Sequence, residues 1–183
     1  MISSTLQPFI RKNLDILFVG LNPSFGSSEK GHYFSVKQSL WNQLYQSRLI
    51  TISIDKVYAD EVVFGSTKIN FHGWSYGITD LVSEIAESDS RKIRTNTQHC
   101  VDFEQLIRKY RPGVAILLHK KVLKAFSEYL GIITPRANQG QLGNLLHGCS
   151  TIFYSIAFPH GNNIPDQKKI EKYLLIKKVL QER

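Results

Sequence analysis

The chain has 183 residues, 42% of them hydrophobic and 21% charged, which fits one compact domain and excludes disordered, collagenous and membrane-embedded classes. Lys and Arg number 23 against 15 Asp and Glu, a formal net charge of +8, and such an excess favours a polyanionic partner, nucleic acid above all. Cys100 and Cys149 stand far apart, outside any disulfide or four-cysteine metal spacing, and neither a signal peptide nor a membrane span is evident, so a reducing cytoplasm is expected.

In chain order, Asp15 to Leu21 (DILFVGL) is apolar without strict alternation, as suits a strand covered on both faces. Ser39 to Leu49 places apolar residues at helical spacings of three and four. Val57 to Trp74 fits either a hairpin or a loop over the sheet edge. Glu87 to Thr97 (ESDSRKIRTNT) is polar and aperiodic and carries Arg91, Lys92 and Arg94, so it is expected to be an exposed loop. Phe103 to Tyr110 and Lys121 to Leu130 have helical periodicity around a second buried strand, Val114 to Leu118 (VAILL). A third strand, Thr151 to Phe158 (TIFYSIAF), precedes a last helix over Asp166 to Gln181. In that helix Ile170, Leu174, Ile176, Val179 and Leu180 are expected to face inward and most of the lysines to be solvated. The alternation predicts an α/β fold in three layers, α/β/α, around a mostly parallel sheet, in a single domain spanning residues 1–183.

Two of these strands end on polar turns. Asn22-Pro23 follows the first, and Pro159-His160-Gly161-Asn162-Asn163-Ile164-Pro165 follows the third. In a parallel sheet both turns lie on the carboxyl edge, where ligands bind, so Asn22 and His160 can face one pocket. Taken singly, Asn22 also fits a helix cap or Asx turn, and His160 a surface loop. His119-Lys120-Lys121 opens a helix whose N-terminus can meet a phosphate. His32, His72, His99 and His147 have no metal-ligand spacing with carboxylates, so no metal site is expected, and the absence of a P-loop motif disfavours a P-loop NTPase.

Six segments in order, GLNPS (Gly20–Ser24), KGHYF (Lys30–Phe34), LW (Leu40-Trp41), YGITDLV (Tyr76–Val82), VAILLHKKVLKAF from Val114 and GCSTIFYSIAFPHGNN from Gly148, resemble the uracil-DNA glycosylase superfamily. The nearest branch is that of the mismatch-specific uracil and thymine DNA glycosylases. The resemblance implies hydrolysis of the N-glycosidic bond of a base flipped out of double-stranded DNA, by a monomer without cofactor. It implies that Asn22 positions the attacking water, a weaker activator than a carboxylate, so the chemistry should be slow. His160 would donate to the leaving base as the second catalytic residue. Gly20, Leu21, Pro23 and Ser24, with backbone amides of their turn, would surround the base together with Asn162. Phe34 would stack on the base with Tyr33 beside it. Ile164 would fill the hole in the duplex, with Asn163 and Lys120 on the DNA.

The chain departs from the family pattern in carrying NPS for NPG and HGNN in the second motif, which leaves the base open. Hypoxanthine or an alkylated base stands as an alternative, and so does a nucleic-acid-binding module without turnover. No lysine falls on either motif loop, so a monofunctional glycosylase is expected.

Overall fold

A computed structural model describes residues 2–182. Its centre is a five-stranded sheet. In chain order the strands are β2 (Ile16–Gly20), β3 (Tyr76–Asp80), β5 (Val114–Leu117), β6 (Gly140–Gly143) and β7 (Ile152–Ser155). They lie in the order β3-β2-β5-β7-β6, the first four parallel and β6 antiparallel at the edge. A short pair, β1 (Ile2–Ser3) with β4 (Ile85–Ala86), stands apart from it.

Side chains of the central strands alternate between two cores, as the two-residue period of a strand requires. Ile16, Phe18, Tyr76, Ile78, Val114, Ile116 and Tyr154 face one side, where they meet Leu40, Trp41 and Leu44 of α2 (Ser39–Gln46), Ala59 and Val63 of α3 (Ala59–Val63), and Tyr173 and Ile176 of α6 (Asp166–Gln181). Leu17, Val19, Ala115, Leu117 and Phe153 face the other side. There they meet Cys100, Phe103 and Ile107 of α4 (Thr97–Tyr110) and Val122, Leu123 and Phe126 of α5 (Lys120–Tyr129). Because both faces are covered, the strands read as continuous apolar runs. The architecture is the expected three-layer α/β/α.

The differences from the sequence reading are local. Residues 57–74 form neither a hairpin nor a plain loop: they hold α3 and a 3-10 turn at Phe71–Gly73. Asn70 organises them, its Nδ2 donating to the carbonyls of Val63, Ser66 and Trp74. The 87–97 segment is not a free loop either. Glu87 and Ile93 are buried, Ser90–Lys92 is a 3-10 turn, and Lys121 Nζ donates to the Ser90 and Ile93 carbonyls at 2.6 and 2.9 Å. In α6, Leu174 is exposed and Tyr173 takes the inward place, while Lys169 is buried rather than solvated.

All four parallel strands point their carboxyl ends, Asp80, Gly20, Leu117 and Ser155, at one edge of the sheet. That edge carries the cavity.

Candidate active site

A cavity of about 600 Å³ opens at this edge, within the size range of small-ligand sites. Its wall includes Gly20, Leu21, Asn22, Pro23 and Ser24 from the turn after β2, and Phe158, His160, Asn162 and Ile164 from the loop after β7. Tyr33, Phe34 and Lys120 also line it. Of the residues given site roles by the family resemblance, only Asn163 is not part of the wall.

Asn22 is fixed by its own amide. Its Nδ2 donates to the carbonyls of Pro23 and Glu87, both at 2.8 Å, and more loosely to that of Ile85 at 3.4 Å. Three carbonyls around one nitrogen define which end is the NH2. The Oδ1 therefore points the other way, without a hydrogen-bond partner among the described residues. The helix cap that Asn22 might have supplied comes from Ser24 instead, whose Oγ accepts from Ser27 N at 3.1 Å and starts α1 (Phe25–Lys30).

Several backbone amides expected to meet the base are already used. Phe25 N donates to Ser88 Oγ, Ser27 N to Ser24 Oγ, and Ser28 N to the Ser24 carbonyl. Asn162 is similarly committed: its Nδ2 donates to the carbonyls of Phe158 and His160, and its Oδ1 accepts from Ile164 N. These bonds shape the loop while Asn162 remains in the cavity wall.

Two imidazoles also line the cavity. His160 packs edge-on against Phe158, ring centroids 5.0 Å apart, and its Nδ1 is buried without a partner among the described residues. Burial lowers its pKa, and the charges of Lys37 and Lys169 lower it further. His119, read from the sequence only as a helix opener, lies in the wall and caps α5, its Nδ1 accepting from Lys121 N at 3.1 Å. That bond puts the proton of the neutral ring on Nε2. Burial, with Lys121 and Lys120 nearby, pushes its pKa down to about 4, so at neutral pH it is an uncharged donor.

A set of aromatic rings also lies at the cavity. Phe34, in the left-handed backbone region at φ 51°, lies 5.7 Å from Phe158 and edge-on to Trp41 at 6.3 Å. Trp41 Nε1 donates to the Phe34 carbonyl and holds that unusual backbone in place. Tyr33 is 4% exposed, anchored through its backbone N to Asp60 Oδ2 at 2.7 Å. Two lysines, Lys37 and Lys120, stand in the wall although neither motif loop carries one.

The sequence profile of the Uracil DNA glycosylase superfamily matches residues 7–180. The chain belongs to this superfamily. A G/U mismatch-specific uracil DNA glycosylase of Schizosaccharomyces pombe is 30% identical over 116 residues. The match covers 62% of this chain and 33% of that relative. Two of the six segments that carry the superfamily resemblance, those of Asn22 and His160, meet at this cavity.

Two further wall residues went unnoticed in the sequence as parts of a site, Asp80 and Glu87. Glu87 is buried, and its carboxylate accepts from Asp89 N and lies 3.7 Å from Lys92 Nζ. Asp80 ends β3 beside Gly20, and a Cβ on Gly20 would collide with its carboxylate. Only glycine leaves room for that side chain over the end of β2.

Proposed function

We propose that the protein is a monofunctional DNA glycosylase that removes uracil from mismatched double-stranded DNA after flipping the nucleotide into the cavity. The observation that carries this reading is Asn22, whose Nδ2 is held by the surrounding carbonyls so that Oδ1 stands free at the cavity wall. Superfamily membership and the name of the relative support it.

In this mechanism Asn22 Oδ1 accepts a hydrogen bond from a water and aims its lone pair at the anomeric carbon. The glycosidic bond breaks with both electrons leaving on the base, through a sugar with oxocarbenium character. His119 Nε2–H and the neutral His160 ring face the side where charge collects on the base carbonyls. Neutral donors already in place lower the barrier without first having to reorganise. Phe34 and Phe158 replace the stacking that the base loses on leaving the duplex, and Ile164 supplies an apolar wedge for the gap.

A duplex with a single uracil opposite guanine, incubated with the enzyme and treated with alkali, should break at the uracil. Duplexes carrying hypoxanthine or alkylated bases define the range. Binding to every duplex with no breakage of any would favour the non-catalytic module. Borohydride added during the reaction should trap no protein–DNA adduct, because water and not Lys37 or Lys120 attacks the sugar.

A further inference from the structure

Asp80 is the feature of the cavity that the mechanism above leaves unused. It lies in the wall with Asn22 and Tyr33, and its backbone pairs with Gly20, two residues before Asn22. Its Oδ2 is closed off from solvent and has no hydrogen-bond partner among the described residues. A carboxylate oxygen left in that state is costly unless something else satisfies it. Nor does any described cation form an ion pair with it.

We propose that Asp80 is a second catalytic residue, the general base that takes a proton from the water that Asn22 orients. The inference rests on the glycosylase reading. It also answers a chemical difficulty in that reading: an amide oxygen can orient water but is too weak a base to accept its proton. The step balances with these groups alone. The water oxygen bonds to the anomeric carbon as one O–H proton passes to the Asp80 carboxylate. The bond from that carbon to the base breaks, and its electron pair leaves with the base. The base then takes up a proton, and Asp80 returns its own to solvent.

Burial pushes the Asp80 carboxyl up to about 7, close to the pH at which a general base works best. The groups around it come from several elements. Tyr33 faces it from the segment between α1 and α2, and its phenol is raised by burial first and by the charge of Asp80 second. Glu87, His119, Lys120, Lys37 and His160 stand elsewhere in the wall. On the far side a smaller cleft brings Glu84, His99 and Asp102 toward Asp80, with His99 Nε2 bound to Glu84 Oε1 at 2.9 Å. His119 and His160 are both lowered from their ordinary value, so an activity that rises through neutral pH points to Asp80 before either imidazole.

The test is single-turnover cleavage of a uracil mismatch duplex by saturating enzyme from pH 5.5 to 9. The parent rate should rise with pH and level off above about 7. Asp80→Asn keeps the shape but cannot take a proton, so it should lose at least about 100-fold at pH 8 and lose the rise as well, with DNA affinity unchanged. A thermal melt establishes that the variant is folded. Parent-like rates and profile in Asp80→Asn overturn the inference and leave the glycosylase reading intact. A parent rate that falls with pH also overturns it, since Asp80 would then act as an acid. A parent protein that cleaves no duplex at any pH defeats both.

Discussion

Replacing Asn22 with Ala removes the unbonded amide oxygen at the end of β2, while the cationic surface that meets phosphates is untouched. Asn22→Ala should therefore lose at least about 100-fold in single-turnover rate and retain most of its DNA affinity; a folded variant cleaving at the parent rate would show the amide to be a turn residue and no more. Phe34→Ala should weaken capture of the flipped base as well as cleavage, by about 1 to 3 kcal/mol, visible as weaker binding to uracil duplex than to an abasic product. Asp80 also carries a stability signature. An ordinary aspartate ionises near 3.8 but the buried carboxyl only near 7, so the folded state holds an extra proton between those values and stability falls as pH rises through that window. Asp80→Asn should melt at least about 3 °C above the parent at pH 8 and close to it at pH 4, the pattern of a site that trades stability for activity. Asn22 and His160 were legible in the sequence because polar turns interrupt strongly apolar strands. Asp80 was not, since YGITDLV entered only through the family resemblance, with no role for its aspartate, and only the strand pairing lays its carboxylate over Gly20.

At the scale of elements, the loop after β7 is held from beneath by two helices. Gln43 Nε2 from α2 and Lys169 Nζ from α6 both donate to the Pro159 carbonyl, at 2.9 and 3.1 Å, and both reach Asp166 Oδ1, at 3.0 and 3.3 Å. The next residue is His160. Lys169→Met should preserve the packing of the lysine stem, remove one of these donors, and destabilise by about 1 to 3 kcal/mol, read as a lower urea midpoint. It should also slow cleavage through His160 without changing the salt dependence of DNA binding; an unaltered rate in the folded variant would mean that Gln43 alone positions the loop. Periodicity exposed α2, α4, α5, α6 and the three most apolar strands, but not the short α1 and α3. It missed β3, which contains Gly77 packed against the Phe9 carbonyl, and β6, whose GQLG offers no apolar run and begins and ends on glycines at φ 91° and 86°. Lys169 looked like one more solvated lysine because nothing in a helical pattern reveals a carbonyl waiting beneath it.

Over the whole molecule, the charge of +8 predicts binding dominated by phosphates. Affinity for undamaged duplex should fall at least about tenfold between 50 and 200 mM salt, measured by fluorescence anisotropy, and a flat response would contradict that account. The cavity belongs to no single stretch of chain: the turn after β2 brings Asn22, β3 brings Asp80, the start of α5 brings His119, and the loop after β7 brings His160. The shared hold of α2 and α6 on Pro159 adds an order in time. A ribosome makes α6 after every other described element, so until that helix has emerged and docked, Gln43 alone can hold the Pro159 carbonyl and the loop that carries His160 lacks its second tether. Under the proposed mechanism, full cleavage therefore waits until α6 has docked.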